Sequence, residues 1–351
     1  AVMAARFRGI EPMAQAYYEK PVFYDVERDY YEAGYIHAAV LAGLILPAEP
    51  GYFRPTEAVD CLTAIKSLMT VLGYRSEAVK RGDTVTAWMS VAATAGLIGS
   101  KSFSSSAKIT RGELYDLVEN SLDVDVLVEE VVTEDMVQMS ASKGQGLLEV
   151  YHDIYEITGI VEDNGRSALD TADSTVGSFE WLISGGRYRA ERVASQNLLG
   201  YRVRAYYHEN EGEKSLIYAA PYRNEVVHVE AEDILSYQSR VYRYTDSETD
   251  REETIDTSRA FIMYNGASAE GMFFEPIPEM GGITAVDNDG DGDYEVVRIE
   301  AYKDYLATGV DVDAEVIYVQ NDTAIRLDEY KQYFIKQAQG NKSAALGNVA
   351  K

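Results

Sequence analysis

The stretch Ile109-Thr110-Arg111-Gly112-Glu113-Leu114-Tyr115-Asp116-Leu117-Val118-Glu119-Asn120-Ser121-Leu122 decides how the first part of this chain is read. Ile109, Leu114, Leu117, Val118 and Leu122 fall at the three- and four-residue spacings that line one face of a helix. Thr110 and Glu113 form a capping box: the hydroxyl accepts the N–H of residue 113, and the carboxylate reaches back to the N–H of residue 110. Upstream, Val59, Leu62, Ile65, Leu68, Met69 and Leu72 repeat that spacing, with Asp60 placed to cap. Each longer helix follows an Ala-rich segment, residues 35–44 and 87–96, that stops at Gly43 or Gly96. The order of short helix, glycine bend, aromatic loop and longer helix therefore recurs, from about Phe23 to Tyr74 and again from about Ser76 to Leu127. Such repeats stack on one another to bury a shared core.

The whole chain has 351 residues, 32 Lys+Arg and 58 Asp+Glu, for a formal net charge of −26. At roughly 100–200 residues per domain, this length predicts two or three domains, each able to bury a core. A composition of 46% hydrophobic and 26% charged residues excludes disorder, collagen and coiled coil. Excess acid argues against nucleic acid or an anionic membrane as partner, because phosphate contacts need clustered Lys and Arg. The single cysteine, Cys61, excludes an internal disulfide and a thiolate zinc site, and the four histidines are scattered. The longest apolar run, Ile36 to Ala48, is short of the ~20 residues that span a bilayer, so no membrane span is expected. No signal-peptide pattern follows Ala1, so the expectation is a chain that starts after processing, or a fragment.

From about Leu147 the period changes to two. Residues 179–183, 202–207, 215–218, 225–229, 260–264, 282–286, 294–302 and 315–319 alternate as strands do, separated by Gly, Asn and Asp clusters. A break is expected across Ser236 to Asp256, a polar stretch rich in Thr, Asp and Glu, and a frayed tail from Gly340. The larger share of the acidic excess lies in this second half.

Phe23-Tyr24-Asp25-Val26, Gly34-Tyr35-Ile36 through Gly43-Leu44-Ile45, Gly51-Tyr52-Phe53-Arg54-Pro55 and Ile109-Thr110-Arg111-Gly112-Glu113 resemble the signature of S-layer homology (SLH) repeats, the wall-anchoring modules of bacterial surface proteins. Ala1 to Ile10 is similar to the closing helix of a further repeat. The resemblance covers about residues 1–130; the remainder looks, more loosely, like the β-rich part of clostridial surface proteins. It implies a multidomain α + β chain, with an α-helical pseudo-threefold repeat bundle followed by barrel- or sandwich-like β-rich domains. The expected boundaries are 1–20 for the end of a first repeat, 21–75 and 76–130 for the next two, 147–235 and 236–335 for β-rich domains, and 336–351 for the tail.

Arg111 carries the chemistry of the repeats. A cation in the first turn meets the positive end of the helix dipole, at a cost of roughly 0.3–1 kcal/mol unless an anion offsets it. Guanidinium and helix N-terminus together make a carboxylate-binding site. The resemblance implies that the anion is an acidic, often pyruvylated, secondary cell-wall polysaccharide of a Gram-positive wall; the plain alternative is a solvated or locally paired arginine. In the preceding repeat Cys61 stands where that arginine would be, so the anion contact is expected to be lost there. Asp25 matches an acidic position near the family's ligand groove, and locally reads equally as a turn or cap residue. Tyr52 and Trp88 offer faces for a sugar ring, or else belong to the core.

Asp287, Asp289 and Asp291, followed by Gly292, have the spacing of a calcium loop, in which alternate carboxylates converge on a hard cation. Arg298 replaces the glutamate that an EF-hand needs at its twelfth position, and a strand follows instead of a helix. Two readings stand: a calcium-stapled hairpin turn with Asp293 or Glu295 adding oxygens, or a solvated Asn/Asp/Gly turn. Ser105-Ser106-Ala107-Lys108 is a formal S-x-x-K without its companion motifs, and neither a nucleophile elbow, a zincin motif nor a phosphate loop occurs. The expectation is a non-catalytic, extracellular, S-layer-type protein, anchored non-covalently to the wall, with its acidic half displayed outward as lattice, spacer or contact module, the lattice form implying self-association. The alternative is a sheath or fibre subunit whose repeats contact other protein chains.

Overall fold

The computed structural model describes residues 1–327 except 17–22, 28, 48, 100–102, 134–135, 142–143, 172, 194–196, 272 and 321–322. The expected tail, 336–351, lies outside the described residues. Helices come first: α1 (Val2–Phe7), α2 (Glu11–Ala16), α3 (Ala33–Leu41), α4 (Cys61–Val71), α5 (Arg75–Lys80), α6 (Val85–Ala95) and α7 (Arg111–Leu122). The side chains of Asp60, Thr84 and Thr110 cap α4, α6 and α7, each accepting the N–H three residues on. At the other end of α6, Gly96 takes the left-handed conformation (φ 92°), which only glycine adopts without strain. A hairpin of β1 (Leu127–Thr133) and β2 (Met136–Ala141) and a short α8 (Leu147–His152) follow.

Strands then dominate: β3 (Ile154–Asp163), β4 (Glu180–Ile183), β5 (Gly186–Arg189), β6 (Arg202–Asn210), β7 (Glu213–Pro221), β8 (Glu225–Glu230), β9 (Ile234–Gln238), β10 (Val241–Asp246), β11 (Arg251–Asp256), β12 (Phe261–Tyr264), β13 (Ala267–Ser268), β14 (Gly281–Asp287), β15 (Val296–Ala301), β16 (Ala307–Asp311), β17 (Val316–Val319) and β18 (Thr323–Arg326). The chain is mixed α + β, helical first and β-rich afterwards. It divides into two compact units, each drawn from three stretches: Ala1–Gly159, Arg187–Gln196 and Val203–Ala220 in the first; Ile160–Gly186, Asn197–Arg202 and Pro221–Lys351 in the second.

In the first unit, the apolar faces of α4, α6 and α7 meet around Ile65, Met69, Leu72, Val91, Leu97 and Leu117, all buried. The loops leading into α4 and α7 also pair with each other. Ile109 N–H donates to the Val59 carbonyl (3.0 Å), and Cys61 N–H to the Ala107 carbonyl (2.9 Å). The two loops are thereby joined at the openings of α4 and α7.

In the second unit, β13-β12-β15-β14-β8 form one sheet, antiparallel except for the parallel β12–β15 pair. Its inner residues Val229, Ile283, Ala285, Val297 and Ile299 pack with Tyr242, Tyr244 and Ile255. Those last three come from β10 and β11, which with β9 form a three-stranded antiparallel sheet over 234–256. The break expected there is therefore a sheet. Its apolar positions are few but regularly placed, and the Thr, Arg and Glu between them face outward, as in the pair of Arg243 with Glu252 across β10 and β11.

Candidate functional site

Arg111 opens α7 with its side chain exposed, and among the described residues it makes no ion pair or side-chain hydrogen bond. Both halves of the capping box are present. Thr110 Oγ1 accepts the Glu113 N–H at 3.2 Å, and Glu113 Oε2 accepts the Thr110 N–H at 2.8 Å and its hydroxyl at 2.8 Å. The acid nearest in sequence is thus turned back onto Thr110. Cys61, the corresponding first residue of α4, is 1% exposed, and burial pushes its thiol up. Asp60 caps that helix through the Thr63 N–H at 2.7 Å.

The Asp25 carboxylate holds the 51–55 loop from within. Its oxygens accept the N–H groups of Phe53 (2.9 Å) and Arg54 (2.6 Å), and the Phe53 bond leads in keeping its pKa below the usual carboxylate value. That is the turn-residue role, with both oxygens engaged. Tyr52, by contrast, is 42% exposed and lies 5.6 Å from the ring of Tyr24, itself 85% exposed. The Tyr24 ring crosses Gly51 so closely that a Cβ there would meet it at 2.7 Å, and Gly51 has φ +82°. Tyr24 completes an exposed aromatic pair that inspection of Tyr52 alone does not find; its place beside Asp25 was the available signal. Arg54 Nη2 and Nη1 bridge Glu49 (2.9 Å) and Glu57 (3.2 Å) beside it.

Trp88 is a correction. It is 4% exposed within the helical core, and its Nε1 donates to Asp83 at 2.6 Å, so no face is open to a sugar ring. Among the described residues Arg111 makes no hydrogen bond to Asp25, Tyr52 or Trp88.

The Asp-rich turn joins β14 to β15. Asp287, Asp289, Asp291 and Glu295 bring one carboxylate oxygen each to within 4.8 Å of one another. A cation that binds oxygens at about 2.3–2.6 Å places opposed ligands about 4.6–5.2 Å apart, so this set can hold a hard cation. Asp287 is buried; that would raise its pKa, but the N–H groups of Gly290 (2.6 Å), Gly292 (2.9 Å) and Asp289 (3.0 Å) hold it below the usual value. Burial raises Glu295 instead, opposed by the Asn288 N–H at 2.6 Å and reinforced by the charges of Asp289 and Asp287. Asp293 is the member that does not converge: its carboxylate meets Arg259 at 2.8 Å.

No helix among the described residues is long and apolar enough to cross a membrane. Comparison with protein families, with curated proteins and with solved structures finds no match to this chain.

Proposed function

We propose that this chain is a non-catalytic surface protein, held to an acidic secondary cell-wall polysaccharide by its helical N-terminal part, with the acidic β-rich part facing away from the wall. The observation that carries the reading is Arg111: an exposed guanidinium on the first turn of a capped twelve-residue helix, with no anion of its own among the described residues. Such a cation is at its least comfortable on the positive end of a helix dipole, and an arriving carboxylate relieves it twice over. The Tyr24–Tyr52 pair supplies an exposed aromatic surface in the same repeat series. Calcium is the proposed cation of the Asp287–Glu295 turn, stapling β14 to β15 by carboxylates alone.

The test is co-sedimentation of the chain with purified wall sacculi, before and after acid extraction of their secondary polymer. Pelleting that vanishes on extraction supports the anchor. Absence of pelleting, with calcium-dependent self-association of the isolated chain, would instead indicate a sheath or fibre subunit.

A further inference from the structure

The first unit contains a cavity of about 330 Å³ at the C-terminal end of α7, lined among others by Asp125, Glu149, Tyr155, Glu156, Tyr206 and Tyr207. This volume lies at the small end of the range typical of ligand pockets. We propose that this cavity is a second binding site, for a neutral saccharide unit, separate from the Arg111 surface.

The argument rests on what the lining offers and on what it has already taken up. Tyr155 and Tyr207 stack with ring centroids 5.5 Å apart and planes at 28°, and Tyr188 meets Tyr207 edge-on at 5.2 Å. Tyr207 is thus covered by its neighbours, but among the described residues no second ring or cation lies over Tyr155, whose remaining face can accept the C–H side of a pyranose ring. Around them stand carboxylates and tyrosine hydroxyls, which can accept from sugar hydroxyls, and three of the four carboxylates are held by neighbours. Arg204, with only 14% of its side chain exposed, binds Asp123 and, at 2.8 Å, Glu156. Glu149 accepts the Gln145 Nε2–H at 2.8 Å. Recognition groups held by neighbours lose little freedom when a ligand arrives.

The alternatives fit less well. An anion, including an acidic wall polymer, would face four carboxylates in the lining: Asp123, Asp125, Glu149 and Glu156. An organic cation would find the Tyr206 and Tyr207 rings already taken by the chain's own cations. The Arg204 guanidinium lies 5.8 Å from the Tyr206 ring, and the Lys214 ammonium 5.4 Å from Tyr207. Arg204 neutralises two of the four carboxylates, Asp123 and Glu156, while Asp125 and Glu149 offer acceptor oxygens to the hydroxyls of an uncharged ring.

Calorimetric titration of the full chain with chitotetraose and cellotetraose (neutral), tetragalacturonate (anionic) and spermidine (cationic) tests this. At least one neutral tetrasaccharide should bind saturably. Tyr155→Ala should weaken that binding about tenfold, and Glu149→Gln, a near-isosteric change on a partly exposed side chain, should weaken it severalfold with an unaltered near-ultraviolet spectrum. Arg111→Ala should leave it unchanged, so loss of the wall-anchor reading would not take this one with it. Binding of neither neutral probe, preference for spermidine or tetragalacturonate, or affinity unaltered in Glu149→Gln would overturn the proposal.

Discussion

Asn288 and Arg202 are 86 residues apart in the chain, yet the Asn288 Oδ1 accepts the Arg202 N–H at 2.9 Å. The same side-chain amide donates through Nδ2 to the Gly200 carbonyl at 2.9 Å, and Asn288 is 1% exposed. The first residue of the Asp-rich turn after β14 is therefore tied to the segment that leads into β6. Arg202 N–H has a second acceptor in Asn224 Oδ1 at 3.0 Å, whereas among the described residues the Gly200 carbonyl has its donor in Asn288 alone. Asn288→Ala should cost about 1–3 kcal/mol, the penalty of one stranded buried group. Urea denaturation of the full chain measures it, and unchanged stability would show that the tie carries no weight.

The proposed calcium site predicts a ligand-dependent melting temperature. At a calcium concentration a hundredfold above Kd, the second unit should gain about 2.7 kcal/mol, which a chelator removes. Asp289→Ala should abolish the difference. Asp289 is the informative choice because Asp287 also holds the Gly290 and Gly292 N–H groups, so its removal would open the turn with or without a cation. A melting curve indifferent to chelator would reduce the motif to a solvated turn.

Arg111→Ala should separate anchoring from folding. The side chain is exposed and touches nothing the fold needs, so stability should stay within about 0.5 kcal/mol of the parent. Retention on sacculi should fall sharply. Equal retention by parent and variant would remove Arg111 from the proposal.

Trp88→Ala should do the reverse, destabilising the helical core by about 3–5 kcal/mol through the cavity it leaves. Any loss of wall retention should then track the unfolded fraction. A well-folded Trp88→Ala chain that no longer binds wall would contradict the buried position of the indole.

Asp25 predicts an acid-sensitive loop. Its folded pKa lies below the unfolded value of about 3.9, so its contribution is complete above that value and is lost as pH falls through the folded pKa. The amide resonances of Phe53 and Arg54 should titrate together with a midpoint below 3.9, and Asp25→Asn should remove the transition. A midpoint at or above the unfolded value would mean that the two N–H bonds do not persist in solution.

Much of the helical part was legible because its signals are local. Thr110 with Glu113, and Asp60 with Thr63, complete their contacts within three residues, so spacing alone specifies them. The turn between β14 and β15 was equally local, down to the alternate carboxylates, but Asp293 was not: its partner Arg259 lies 34 residues upstream. The sheet over 234–256 was hidden because its burial rests on Tyr242, Tyr244 and Ile255 set among charges, too sparse to register as apolar alternation. Trp88 reads the same in the core as on a surface until its neighbours are known. The tyrosine-lined cavity was beyond sequence reasoning altogether, since residues 122–158 and 206–207 meet only in the folded chain.

The pairing of Val59 with Ile109 and of Cys61 with Ala107 gives the loop before α4 a task. The first residue of α4 is a buried thiol that presents no side chain to solvent, yet the backbone beside it is the jig against which the opening of α7 is set. Lengthening the 56–59 loop by one residue would alter no side chain near Arg111, but would misalign the strand-like seam that fixes where the guanidinium points. A segment can thus matter for its carpentry and not for its chemistry, and substitutions in it should be tolerated at side chains and resisted in length.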